Sequence, residues 1–212
     1  MDSVEMTNQT TRTEKTTKRV NVRNMTVTAM LSAIAFVLMF LDTAVPFVPS
    51  FIKLDLSELP ALIASFALGP VYGVVVCLIK NLLHLLMTTT GGVGELSNFI
   101  LGVAFVLPAG IIYHTKKTKT RAIIGAFVGA LCMALVSFPS NYFIVYPVYY
   151  NFMPKEVIVE AYQAIAPFAN IDSIGKCLLF FNVPFTFVKG LISAVITIFI
   201  YQPLRPLLKG KN

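Results

Sequence analysis

The sequence predicts an all-α integral membrane protein, a compact bundle of six transmembrane helices with both termini in the cytoplasm. The 212-residue chain is 56% hydrophobic and only 13% charged, and its mean hydropathy of +0.76 is far above that of soluble domains. Apolar segments of helical length follow one another between polar connections. Lys and Arg are distributed unevenly, in clusters that predict which connections lie inside the cell.

The apolar segments divide the chain into one membrane domain and two tails. Residues 1–24 are polar and basic, with too few apolar side chains for a core, and predict a disordered cytoplasmic tail. The membrane domain covers 25–203, and a short basic tail covers 204–212. The predicted helices are 25–41, 57–68, 71–88, 95–113, 121–145 and 178–201. An amphipathic loop over 146–176 is expected to contain a short helix after Pro154.

The second helix is shorter than a membrane span. Ser57 and Glu58 mark its start, Pro60 lies in its first turn, and Gly69-Pro70 separates it from the third helix. Its residues rise about 18 Å, against a hydrocarbon core of roughly 30 Å. This helix must therefore tilt, extend or lie hidden inside the bundle.

Basic residues determine the predicted orientation. Of the 17 Lys and Arg, five lie in the N-terminal tail, four in the linker after the fourth helix and three in the C-terminal tail. These 12 are assigned to the cytoplasm, and only three to outer loops. The net charge of +7 thus reflects topology and not a nucleic-acid surface.

Polar side chains inside apolar segments are the first candidate site residues. Lys80, Asn81 and His84 share one face of the third helix, and Glu95 and Asn98 follow a glycine-rich turn at the start of the fourth. Such groups are costly in a bilayer, so a functional site is the default hypothesis. Together they predict one wall of a ligand cavity.

A second polar face runs along the sixth helix. Its members, spaced four, three, four and four residues apart, are Asn182, Thr186, Lys189, Ser193 and Thr197. Lipid cannot satisfy these side chains, so they are predicted to face the bundle interior or a wet cavity. Lys189 lies near the middle of the helix, too deep to reach the surface easily, so it needs a partner or a wet cavity, and it is expected to have a ligand-binding or gating role.

The end of the fifth helix combines an amide with aromatic rings. Asn141 is followed by Tyr142 and Tyr146, a combination suited to a flat ring, because aromatic faces stack on it while amides contact its edge. An aromatic belt at the membrane surface is the alternative interpretation of the tyrosines.

Several classes of site are disfavoured. Two histidines and three scattered cysteines predict neither a metal centre nor a disulfide framework. The Gly91-Gly92-Val93-Gly94 turn lacks the context of a phosphate loop. The sequence contains no nucleophile–base pair and no paired carboxylates that would indicate an enzyme. It also contains no inverted repeat that would indicate a secondary transporter.

Six motifs occur in this order along the chain: Ala29-Met-Leu-Ser-Ala33, KLDLSELPALIASFALGP, IKNLLHLL, TTTGGVGELSNF, PSNYF and NVPFTFVKG. Together they resemble the substrate-capture (S) subunits of energy-coupling factor transporters, above all the riboflavin-specific members. The resemblance covers residues 25–203. It implies a multi-pass protein of the bacterial cell membrane that holds riboflavin or a related flavin near its outer face, with no cofactor of its own.

The resemblance also implies roles for particular residues. Asn141 and Lys189 fall where riboflavin-binding members contact the edge of the ring. Ala29 and Ala33, a pair of small residues on one helix face, would contact a membrane-coupling (T) subunit bound to two ATPase subunits. An S subunit for another vitamin, such as folate or pantothenate, remains an alternative because two helix lysines suit an anionic ligand. A membrane-embedded enzyme is a less favoured alternative.

The predicted topology can be tested by cysteine labelling. A membrane-impermeant thiol reagent added to whole cells should modify a cysteine introduced within 154–170 but not one introduced at Lys117, because these positions are assigned to opposite sides of the membrane. The reverse labelling pattern would exclude this topology.

Overall fold

The computed structural model describes residues 22–44, 53–88, 91–151, 154–165 and 172–209. This part of the chain is helical except for a two-residue antiparallel ladder between β1 (Thr43–Ala44) and β2 (Lys53–Leu54). The helices are α1 (Val22–Phe40), α2 (Glu58–Ala67), α3 (Pro70–His84), α4 (Val93–Thr115), α5 (Lys119–Ser140), α6 (Tyr146–Tyr149), α7 (Lys155–Ile165), α8 (Ile174–Cys177) and α9 (Val183–Lys209).

Shorter helical segments join some of these elements. A 3-10 turn, Leu85–Met87, prolongs α3, and π-helical segments Asn141–Val145 and Leu178–Asn182 connect α5 to α6 and α8 to α9. Within the described residues, five helical stretches are long and apolar enough to cross a membrane: Val22–Phe40, Pro70–Met87, Val93–Thr115, Lys119–Tyr149 and Ile174–Tyr201. The predicted all-helical, multi-pass architecture is confirmed.

The short helix α2 lies inside the bundle. All ten of its residues, Glu58–Ala67, are buried, and it packs against α1, α3, α4 and α9. Its length rises only about 15 Å, so it is not among the five candidate spans. Of the three possibilities for the second helix, burial within the bundle is the one observed; six crossings and cytoplasmic termini stay predictions.

Two helices run further than their sequence suggested. The helix predicted to end at residue 145 continues to Tyr149, and the one predicted over 178–201 begins at Ile174 and continues to Lys209. The first extension occurs because the wide π-helical turn accommodates Pro147, which would otherwise clash with the preceding turn. The connection predicted as a loop over 146–176 is correspondingly shorter and contains α7, the helix expected after Pro154.

Glycines with positive φ start two of the helices. Gly69, at φ 130°, precedes Pro70 at the first position of α3, and Gly91 and Gly92, at φ 64° and 87°, precede α4. Only glycine adopts such angles without strain. The glycine turn thus reverses the chain and brings the start of α4 beside the end of α3.

Small residues allow close packing between α4 and α5. A Cβ atom added to Gly125 would lie 2.7 Å from the carbonyl oxygen of Ala109, and one added to Gly129 would collide with the carbonyl oxygen of Phe105. Gly125 and Gly129 are therefore internal packing residues, as expected of small residues at helix interfaces. This contact fixes α5 against the buried core around α2 and α4.

Candidate functional site

A cavity of about 430 Å³ opens at one end of the bundle, within the size range of small-molecule sites. It lies between the end of α1, the α3–α4 turn, the α5–α6 region and the first half of α9. Its lining residues are Met39, Asp42, Asp55, His84, Gly94, Glu95, Ser97, Asn98, Leu101, Met133, Asn141, Val145, Tyr146, Tyr149, Asn182, Phe185, Thr186 and Lys189.

Two asparagines form the amide wall of the cavity. The Asn141 Nδ2 amide donates to the Ser137 carbonyl at 2.7 Å and to Asn182 Oδ1 at 3.4 Å, and the Thr186 hydroxyl also donates to Asn182 Oδ1 at 3.2 Å. These bonds hold both amides in place. Among the described residues, the side-chain oxygen of Asn141 remains available to accept a hydrogen bond in the cavity, and the amide group of Asn182 remains available to donate one.

Both asparagines belong to π-helical segments. Asn141 begins the segment before Pro147, and Asn182 ends the segment before Pro184. A proline ring clashes with the carbonyl four residues earlier, and a wider turn relieves that clash. The wide turns are a local consequence of the prolines, and they occur where the two amides meet.

Lys189 lines the cavity as half of a buried ion pair. Its Nζ lies 2.8 Å from Asp55 Oδ2 and 3.5 Å from Glu58 Oε2. Burial alone would raise the pKa of the Asp55 carboxyl, but the charges of Lys189 and Lys80 outweigh this effect and hold that pKa below its ordinary value. The ammonium has three donors, so one remains for a ligand.

Lys80 lies behind the cavity wall. Its side chain is fully buried, and its Nζ lies 2.9 Å from Glu58 Oε1 and 3.3 Å from Asn98 Oδ1, with a further bond to the Ser57 hydroxyl. Asn98 itself lines the cavity. Lys80 therefore acts on the cavity only through the groups that it orients.

Asn81 also lies outside the cavity lining. Its amide donates to the Cys77 carbonyl at 2.8 Å, one turn earlier in α3, while its buried side-chain oxygen has no partner among the described residues. This hydrogen bond within α3 satisfies the amide donor of Asn81 without a contact to another helix.

Another part of the cavity wall is formed where α3 meets α4. The His84 ring lies 2.8 Å from Glu95 Oε1, and the Thr88 hydroxyl donates to Glu95 Oε2 at 2.9 Å. Thr88 also accepts from the Gly92 amide at 3.1 Å, which ties the glycine turn to the same cluster. Of the five residues predicted to form one wall, His84, Glu95 and Asn98 line the cavity, whereas Lys80 and Asn81 are not among its lining residues.

The tyrosines are divided between two environments. Tyr146 lines the cavity, and its hydroxyl lies 2.6 Å from that of Tyr162 on α7. Burial raises the pKa of Tyr162, so its phenol is a neutral hydrogen-bonding group. Tyr142 is exposed, stacks on Phe138 and lies outside the cavity lining. Tyr149 completes the aromatic part of the wall.

The structure thus brings seven predicted ligand residues to one cavity: Asn141, Lys189, Thr186, Asn182, Glu95, Asn98 and Tyr146. Sequence reasoning missed Asp42 and Asp55 on the cavity wall and Glu58 behind it. A signal existed, because a lysine buried in a membrane requires a counter-charge. Nothing local indicated which acids supply it.

The two small residues of α1 lie elsewhere. Ala29 and Ala33 are exposed on the outside of the bundle, while Ser32 and Ala35 on the same helix are buried. The Ala29–Ala33 face is thus available to another helix, and neither alanine lines the cavity.

Comparisons with known proteins identify the family. The family model described as "ECF transporter, substrate-specific component" matches residues 23–201. The riboflavin transporter RibU of Staphylococcus aureus (strain TCH60) is 35% identical over 190 residues, covering 89% of this chain and 93% of RibU. The riboflavin transporter FmnP of Bacillus subtilis (strain 168) is 30% identical over 190 residues, covering 88% of this chain and 94% of FmnP.

A solved structure shares the fold. The S component of a bacterial ECF transporter matches with a TM-score of 0.70 at 33% identity, and the match covers 89% of this chain and 99% of that one. The resemblance noted in the sequence motifs is confirmed by both kinds of comparison. This chain belongs to the substrate-specific components, or S components, of energy-coupling factor (ECF) transporters.

Proposed function

We propose that this S component captures riboflavin outside the cell and delivers it inward together with an ATP-driven energy-coupling module. The observation that carries the proposal is the wall formed by Asn141, Asn182 and Lys189. Similarity to the riboflavin transporters RibU and FmnP supports the same ligand. The chain is a transporter subunit and not an enzyme.

The donors and acceptors of this wall complement one edge of a flavin. The Asn182 amide group and the remaining Lys189 proton are two donors, and the Asn141 oxygen is one acceptor. The pyrimidine edge of the isoalloxazine ring presents two carbonyl oxygens and one N–H, which is the complementary set. Buried sites that pair such groups discriminate strongly, because a ligand without them leaves polar groups unsatisfied.

The apolar part of the cavity suits the body of the same ring system. Met39, Leu101, Met133, Val145 and Phe185 supply flat or flexible apolar surface, and the Tyr146 and Tyr149 rings add aromatic surface. A mostly apolar lining with a few directed polar groups is typical of sites for planar ligands.

Charge pairing favours a neutral vitamin over the anionic alternatives. Both helix lysines that suggested folate or pantothenate are neutralised, Lys80 by Glu58 and Lys189 by Asp55. A ligand carboxylate would have to compete with these carboxylates at close range. Riboflavin carries no charge and needs only hydrogen bonds from the same groups.

The proposal includes six crossings, cytoplasmic termini and a partner at the Ala29–Ala33 face. The clustering of basic residues supports this orientation. Transport against a gradient needs energy, and the resemblance to S subunits implies that a T subunit with two ATPase subunits supplies it. The exposure of Ala29 and Ala33 supports docking there, because small residues let another helix approach closely.

The first test is ligand binding by the purified protein. The wild type should co-purify with a yellow flavin or bind one when it is added. Binding is detected by the absorption of the flavin and by the quenching of its fluorescence. Asn141→Leu should weaken riboflavin binding about 10- to 100-fold, because it removes one buried hydrogen-bonding group. Asn151→Leu, on the exposed surface, is the matched control and should bind normally. Equal affinities of the two variants would remove Asn141 from the site.

A second test separates the two roles of Lys189. Lys189→Met alone leaves Asp55 without its close partner and should lower the melting temperature by several degrees, since breaking a buried pair costs about 3–5 kcal/mol. The double variant Lys189→Met with Asp55→Asn removes both charges and should recover much of that loss. Riboflavin binding should stay weak in the double variant. Full recovery of binding would show that Lys189 is structural only.

A third test separates capture from transport. Ala29→Trp and Ala33→Trp should leave riboflavin affinity within about threefold of the wild type, well under the tenfold that about 1.4 kcal/mol represents. Riboflavin uptake by cells and co-purification with the coupling module should be lost. Leu135→Trp, on the exposed apolar face of α5, should preserve both. Normal transport by the alanine variants would place the docking face elsewhere.

A further inference from the structure

A second cavity, of about 320 Å³, lies at the other end of the bundle. It is bounded by the ends of α2 and α4, the α4–α5 linker, the start of α5 and the second half of α9. Its lining residues are Phe66, Tyr113, Lys117, Thr118, Lys119, Ala122, Ile198 and Tyr201. The first cavity is lined from the opposite ends of α4, α5 and α9, and the two share no lining residue.

Three buried aromatic rings form the deep wall of the second cavity. The ring centroid of Phe66 lies 4.9 Å from that of Tyr113 and 5.8 Å from that of Tyr201. The Tyr201 hydroxyl donates to the Phe66 carbonyl at 3.2 Å and lies 3.3 Å from the Tyr113 hydroxyl. These contacts hold the rings in place, so the cavity is preformed. Ala122 and Ile198 make the rest of its deep part apolar.

The rim of the second cavity, formed by Lys117, Thr118 and Lys119, is basic and exposed. Neither ammonium group pairs with a carboxylate of the described residues. The described carboxylates lie toward the first cavity, on α7 or just before α8: Asp42, Asp55, Glu58, Glu95, Glu156, Glu160 and Asp172. The rim therefore carries a positive charge that no described side chain compensates.

The rim lies at the level of lipid headgroups. The candidate spans Val93–Thr115 and Lys119–Tyr149 end and begin on either side of it, and Tyr201 ends a third. Side chains at the ends of spans meet the boundary between hydrocarbon and water. Ile123 and Phe199, each next to a lining residue in the chain, are exposed apolar side chains. They offer an acyl chain a surface beside the cavity.

This combination of a basic rim and an apolar interior matches an anionic phospholipid. An ammonium group is a compact point charge that binds phosphate oxygens. Anionic lipids attract basic segments at the membrane surface. A zwitterionic headgroup adds a cation of its own, which the two lysines repel. A soluble phosphate has the charge but nothing to place against the aromatic wall.

We propose that the second cavity binds one anionic phospholipid of the inner leaflet. Lys117 and Lys119 bind its phosphodiester, and the glycerol and the start of an acyl chain lie against Tyr113, Ile198 and Tyr201. The bound lipid joins the α4–α5 linker to α9 and so stabilises this end of the bundle. Its place in the inner leaflet rests on the topology included in the proposed function.

The test measures lipid binding by the purified full-length protein. Delipidated protein in detergent is titrated with phosphatidylglycerol or with phosphatidylcholine of the same acyl chains. Native mass spectrometry counts the bound lipids, and the melting temperature is recorded in parallel. One phosphatidylglycerol should bind at least about tenfold more tightly than phosphatidylcholine and should raise the melting temperature, because it binds the folded state.

Two double variants test the rim. Lys117→Gln with Lys119→Gln should abolish the preference for phosphatidylglycerol, because each lysine at a membrane surface contributes about fivefold in affinity. Lys116→Gln with Arg121→Gln removes two charges from exposed positions beside the rim that do not line the cavity. This matched control should keep the preference within about twofold of the wild type.

A second pair of variants tests the apolar interior without changing charge. Ile198→Phe partly fills the cavity and should weaken phosphatidylglycerol binding at least about fivefold, by excluding the lipid from the aromatic wall. Ile200→Phe, at an exposed position on the same helix, should bind the lipid as the wild type does. This pair carries the test if the lysine variant does not fold.

Three results would overturn the lipid site. Equal losses in the two double variants would assign the effect to diffuse charge. Glycerol 1-phosphate, which lacks acyl chains, would identify a site for free phosphate if it raised the melting temperature as much as the lipid does. A lysine variant that kept the lipid but lost co-purification with the coupling module would assign the rim to a protein partner.

The same samples distinguish this inference from the proposed function. Riboflavin binding is measured beside lipid binding, and Lys117→Gln with Lys119→Gln should leave riboflavin affinity unchanged, because neither lysine lines the first cavity. A wild type that binds one phosphatidylglycerol selectively but no riboflavin would contradict the proposed function and support the lipid site.

Discussion

The cavity depends on a buried cluster of two lysines and two carboxylates. Asp55 and Glu58, at the start of α2, face Lys80 on α3 and Lys189 on α9. Removing four charges from water costs several kcal/mol for each ion, and only close, hydrogen-bonded pairing repays that cost. The position of α2 along α3 and α9 is therefore fixed, since sliding by one turn would leave charges unpaired in an apolar interior.

The burial of α2 makes this arrangement possible. All ten residues of this helix are enclosed by its neighbours. Carboxylates at its start can thus lie inside the bundle without contacting lipid. The cluster then gives its two lysines different roles. Lys80 is fully buried among its partners, while Lys189 has one N–H donor at the cavity surface.

Two π-helical segments create the amide wall in the same way. In each, a proline downstream favours a wide turn, and an asparagine in that turn points to the other. Wide turns of this kind often occur at functional sites because they redirect a side chain without ending the helix. The amide wall and the wall that contains His84, Glu95 and Asn98 therefore have separate origins, one in helix geometry and the other in the glycine turn between α3 and α4.

The sequence by itself determined the class of protein, the helices and most of the polar faces, because hydrophobicity and helical period are local properties. It also indicated Asn141, Asn182 and Lys189 as site residues. Only the tertiary structure decided which buried lysine reaches the cavity. Lys80 and Lys189 have the same local signature, yet their partners lie 22 and 134 residues away in the chain. Pairing over such separations is set by how helices pack, and no local pattern encodes it.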